Sequence, residues 1–163
     1  MLNDLWILKI NLIMNLNDVL TKQNVITKLI LKDEDKELSK SLKVKIMRIR
    51  MAYSKIKKNF DSDLQEFSEQ LMTEEFKTLN SKTDKTPEEE IRHQELINKI
   101  NSEYQEFLIQ KGNEEVETVD DTLTMDEYSD IIEINAGNDV EINGNKISAP
   151  DFLEVVYDLF VKE

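Results

Sequence analysis

The sequence predicts a mainly α fold: a long antiparallel helical hairpin with a short N-terminal helix and a small C-terminal α+β cap containing a β-hairpin. Three observations carry this prediction. The 163 residues hold only three Gly and two Pro, too few for a fold that must turn every ten residues or so. Apolar residues from Leu38 to Leu71 step by threes and fours without a break, the period of one helix face. Near the C-terminus, Asn143-Gly144 separates two short β-prone runs, as a two-residue hairpin turn requires.

The opening MLNDLWILKINLIM is apolar but broken by Lys9 and Asn11. It lacks the charged start and small-residue cleavage site of a secretory signal and is too short to span a bilayer. It is expected either to pack on the body as a strand or helix, or to be an extension upstream of a natural start at Met14. Trp6, the single tryptophan, is an interface candidate because an exposed indole anchors partners well. From Asn15 to Leu31, apolar residues at Leu16, Val19, Leu20, Ile26, Leu29 and Ile30 predict a short helix, with Asn15 or Asn17 as N-cap.

The central pattern follows, through Leu38, Leu42, Ile46, Ile49, Tyr53, Ile56, Phe60, Leu64, Phe67 and Leu71. No Gly or Pro interrupts residues 34–79, so a helix of roughly 45 residues, about 65 Å long, is allowed. Thr86, Pro87 and the three glutamates after them read as the start of a second helix, ending at Gly112. Folding the two together places Phe107 near Phe60, Tyr104 near Leu64 and Ile100 near Phe67. The second arm then stops near Ile56, and Leu38, Leu42, Ile46, Ile49 and Tyr53 need another cover.

Beyond Gly112, NEEVETVDD reads as an acidic connector and Thr124 as the cap of a short helix. After the hairpin, Ser148 and Pro150 begin a final helix with Phe152, Val155, Val156, Leu159 and Phe160 on one face. The chain is expected to divide into an N-terminal segment with the long hairpin, residues 1–112, and an acidic cap, residues 113–163.

Charge is sorted along this plan. Residues 36–58 carry nine Lys/Arg against one acid, whereas residues 59–163 carry 28 acids against eight bases. The net charge of −13 disfavours direct binding to nucleic acid or an anionic membrane and favours a basic partner. The absence of cysteine excludes disulfides and thiolate zinc sites, and one histidine, His93, excludes sites needing two imidazoles.

Chemistry-bearing motifs are missing. Glu117 and Asp120 form an ExxD, but no EExxE precedes it to complete a helical magnesium site. The stretch from Asp120 has Met125 where an EF-hand needs Gly. With three glycines there is neither GxxxxGK[ST] nor GxGxxG, and His93, beside Arg92 and Glu95, is expected on a solvated helix face. The expectation is a non-enzymatic protein with no catalytic residue, cofactor or metal. Its candidate interface comprises Trp6, Lys43, Ile46, Arg48, Ile49, Arg50 and Tyr53, where cations flank the apolar stripe that the hairpin leaves bare.

The succession LNDVLTKQNVITKLI, KVKIMRIRMAYSKIKKNF and VEINGNKISAPDFLEVVYDLF resembles small accessory proteins of tailed bacteriophages. The resemblance covers Met14 to Phe160, and no functional residue carries over from it. It implies a virion or assembly component that docks onto other phage proteins, located in the virion or host cytoplasm; a homodimer is a separate expectation, from the heptad-like stripe left uncovered. The alternative is an acidic inhibitor of a host nucleic-acid-binding protein, with carboxylates from Glu88 to Glu106 and along the tail imitating phosphates.

Overall fold

The structure, a computed structural model, describes residues 11–162. In chain order these form β1 (Asn11–Asn15), α1 (Leu16–Ile26), α2 (Lys40–Leu71), α3 (Glu74–Ser81), α4 (Pro87–Gly112), β2 (Glu115–Val119), α5 (Met125–Asn135), β3 (Val140–Ile142), β4 (Asn145–Ile147) and α6 (Ala149–Phe160). The mainly helical class is as the glycine and proline counts predict, and the C-terminal hairpin is as Asn143-Gly144 predicts. Among the described residues, no helix is long and apolar enough to cross a membrane.

Two compact units emerge: Met1–Lys57 with Glu115–Glu163, and Lys58–Glu114. This replaces the division expected at residue 112. The basic part of α2 buries its apolar face together with the C-terminal helices, so it belongs to their unit. β1 ties the N-terminal side to the same unit by pairing with β2.

In the first unit, β1 and β2 run antiparallel, with Asn11 opposite Val119 and Asn15 opposite Glu115. The expected acidic connector is therefore a strand over Glu115–Val119. Glu115 and Glu117 face solvent while Val116 and Thr118 turn inward, the alternation of a half-buried strand. Asn15 ends β1 and caps α1, its Oδ1 accepting the Asp18 N–H at 3.0 Å.

The core of this unit gathers Val19 and Ile26 of α1, Leu42, Ile46, Ile49 and Tyr53 of α2, Ile131 of α5, and Phe152, Val156 and Phe160 of α6. All are at most 2% exposed, so the stripe left bare by the hairpin is covered by the chain itself. Thr124 and Ser148 cap α5 and α6 as expected, and Thr124 forms a full capping box with Glu127. The β3–β4 turn places Asn143 and Gly144 at φ of 52° and 78°, the left-handed pair that a type I′ turn needs.

The second unit consists of the end of α2, α3 and α4. Here the single long helix expected over residues 34–79 is interrupted. α2 stops at Leu71, and Thr73, extended at φ −61° and ψ 157°, caps α3 by accepting the Phe76 N–H. Thr73 followed by Glu74 and Glu75 is a helix-start signal in its own right, so the restart needs no Gly or Pro.

The break moves the pairing register. Phe107 stacks on Phe67, with ring centroids 4.2 Å apart and planes 8° from parallel, rather than lying near Phe60. Lys111 likewise reaches Asp63 at 3.1 Å, whereas Arg92 and Glu75, on the loop side of the break, keep the expected register and pair at 2.7 Å. Extended residues at the break advance the chain farther than helical ones would. Fewer residues of the first arm therefore span the same length of α4.

Candidate protein-docking face

α2 between Lys40 and Lys57 is the element on which the sequence concentrated its interface candidates, and it works with two opposite faces. The inner face is set by Leu42, Ile46, Ile49 and Tyr53, spaced to fall on one side of a helix. Ile46, Ile49 and Tyr53 are each 0% exposed. They have no surface to offer another chain, which corrects their place in the candidate interface: they are core residues.

The cations beside them are also partly used internally. Lys43 pairs with Glu37, Lys45 with Glu127 at 2.6 Å, and Lys36 with Glu133 at 3.2 Å. Glu127 is the carboxylate that completes the α5 capping box, so Lys45 meets a side chain already held in place. Arg50 donates from Nε to the Ile26 carbonyl at 3.0 Å and from Nη2 to the Leu29 carbonyl at 2.6 Å. These oxygens lie at and just beyond the end of α1, where helix carbonyls lack intrahelical donors. Burial lowers the Arg50 guanidinium pKa from its ordinary value, but the carbonyl partners still favour the cation.

A buried polar junction secures the same unit. Asp121 is fully buried; its Oδ2 accepts from Lys22 Nζ at 2.5 Å and from the Tyr53 hydroxyl. Lys22 Nζ also lies 5.3 Å from the centre of the Phe160 ring, close enough for a cation–π contact. Burial first, and the hydrogen bond to Asp121 second, push the Tyr53 phenol well above its ordinary pKa. Asp121 Oδ1 and Thr118 Oγ1 are buried without a protein partner. The sequence reading missed this junction because its three members are far apart in the chain and none lies in a motif.

Asn135, also fully buried, makes a second clamp. Its Oδ1 accepts from the Ile30 N–H at 2.8 Å, and its Nδ2 donates to the Ile30 and Ile131 carbonyls, each at 3.0 Å. Backbone groups in the connection after α1 are thereby satisfied where no helix or strand would satisfy them.

The outer face of α2 is different. Val44, Met47 and Met51 recur at i, i+3 and i+7 and are 50%, 52% and 71% exposed. Lys40, Arg48 and Lys55 are exposed on the same side, and no acidic residue occurs between Lys40 and Phe60. The result is an apolar stripe in a cationic frame, on a helix whose opposite side is anchored in the core. Of the sequence candidates, only Arg48 lies on this outer face. Trp6 lies outside the described residues. The signal for Val44, Met47 and Met51 was available, as a second periodic set displaced from the core stripe by half a turn, but the stronger inner stripe masked it.

His93 is half-buried rather than solvated. Its ring lies 5.7 Å from that of Phe76, and Nε2 has no protein partner. Glu117 lies on β2, and among the described residues no cluster of three or more His, Asp or Glu is arranged to hold a metal ion. No protein-family model, curated protein or solved structure matches the chain.

Proposed function

We propose that the chain is a non-enzymatic structural or assembly protein of a bacteriophage, acting as a protein–protein interaction module of the virion. The observation that carries this reading is the two-faced α2: the inner face holds the fold, while Val44, Met47 and Met51 are left to solvent inside a ring of cations. An apolar strip rimmed by charge, built on a rigid helix, has the anatomy of a docking site. Methionine suits such a site, because its flexible, polarizable side chain conforms to a partner surface. The resemblance to accessory proteins of tailed phages supplies the biological setting.

Phosphate mimicry along α4 draws less support. Glu89, Glu95 and Glu103 are already in ion pairs with Lys82, Arg92 and Lys99, so the charge offered to a basic host protein is partly neutralised. Mass spectrometry of purified phage particles tests the first reading. The chain is expected among the particle proteins at a defined copy number. Its absence from particles, with capture of a basic host protein in a salt-sensitive complex, would replace that reading with the inhibitor.

A further inference from the structure

We infer that the outer face of α2 is occupied by α5 of a second copy of this chain. The inference rests on reading that face as a docking surface and goes further by naming the occupant. Lys40, Arg48 and Lys55 flank the stripe, and α2 carries no acid between Lys40 and Phe60, so α2 of one copy repels α2 of another. The occupant must therefore be acidic and carry apolar residues at matching spacing.

α5 meets both requirements. Met125 and Ile132 are 51% and 37% exposed and stand seven residues apart, as Val44 and Met51 do on α2. Two helical turns separate the members of each pair, about 10.5 Å at 1.5 Å per residue. Asp126 and Glu133 are exposed along the same side of α5, where they would face Arg48 and Lys55. Glu133 already touches Lys36, but both side chains are more than half exposed, so the carboxylate stays accessible. Ile91 and Ile109, the exposed apolar residues of α4, stand too far apart to fill the stripe.

Both faces belong to the same compact unit, so each copy supplies one stripe and one complement, and the two contacts, exchanged reciprocally about a two-fold axis, close a dimer. Each contact sets charged pairs around a few apolar side chains at an exposed surface, which makes the dimer salt-sensitive.

Sedimentation of the full chain at rising concentration, in low and high salt, tests this. The expected result is a mass moving toward two chains in low salt and back toward one in high salt. Arg48→Glu with Lys55→Glu, and separately Asp126→Lys with Glu133→Lys, should each sediment as a single chain while keeping the wild-type circular dichroism. An equimolar mixture of the two variants should regain the dimer, because the reversed faces complement each other. A wild-type chain that stays monomeric to its solubility limit overturns the inference, and so does a mixture that fails to associate. A monomer that still enters phage particles through Met47 would overturn the second-copy occupant alone and leave the docking reading standing. A dimer dissolved by these variants, in a chain missing from particles, would support the inference while removing the virion assignment.

Discussion

Lys22 Nζ lies 2.5 Å from Asp121 Oδ2, the same carboxylate oxygen that accepts the Tyr53 hydroxyl. One buried oxygen thus joins α1, α2 and the segment between β2 and α5. Removing the carboxylate leaves an ammonium that is only 12% exposed without its counter-charge. Asp121→Ala should therefore cost about 3 kcal/mol, the low end for breaking a buried pair. Tyr53→Phe removes one donor but leaves the ion pair, and should cost about 1 kcal/mol. Urea unfolding of the two variants measures both, and equal losses would show that the ion pair adds nothing beyond the hydroxyl.

The same junction sets a high-pH limit. Because the folded Tyr53 pKa is raised above its ordinary 10.0, the unfolded chain releases the phenolic proton first. The stabilisation is complete below pH about 10 and is lost above it, by about 1.4 kcal/mol per pH unit for this group. Comparing the stability of wild type and Tyr53→Phe between neutral and alkaline pH isolates the contribution. The wild-type advantage should shrink as pH rises, and Tyr53 should give no tyrosinate absorbance until the chain unfolds.

In the second unit, the stacked pair Phe67 and Phe107 makes the register testable. A double-mutant cycle with Phe67→Ala and Phe107→Ala should return a coupling of about 1 kcal/mol. The same cycle with Phe60→Ala in place of Phe67→Ala should return about zero. Coupling to Phe60 would restore the register expected for an uninterrupted first arm.

The hairpin turn offers a conformational test free of packing effects. Gly144 has φ +78°, and a Cβ there would meet nothing within 4 Å, so Gly144→Ala acts through backbone strain alone. A loss of about 1 kcal/mol is expected, with Asn143→Gly nearly neutral. Thermal melts of the two variants check this.

Local signals made most elements readable from the sequence. Asn15, Thr86, Thr124 and Ser148 each announced a helix start, and Asn143-Gly144 announced the β3–β4 turn. The period through Leu42, Ile46, Ile49 and Tyr53 marked a face in need of cover, and the cover is the core shared with α5 and α6. Three features escaped for physical reasons. The restart at Thr73 uses capping rather than Gly or Pro, so a search for breakers passes over it. The β1–β2 pairing is long-range, and the glutamates of β2 disguise its alternation as a linker. Lys22, Tyr53 and Asp121 meet only through tertiary packing. At the candidate docking face, Arg48 was legible, whereas Val44, Met47 and Met51 form a second periodic set half a turn from the core stripe, which the stronger inner stripe masked.

Neighbouring residues of α2 divide between its two faces: Ile46 is buried in the core, while Met47 is 52% exposed and is the residue proposed to meet a partner. The most direct measurement is the recovery of Met47→Glu in purified phage particles, relative to wild type, after circular dichroism and urea unfolding have shown the variant folded. Substitution at so exposed a site should leave stability within about 0.5 kcal/mol of wild type. The proposed docking role requires a folded chain strongly depleted from particles. Recovery at the wild-type level would contradict it.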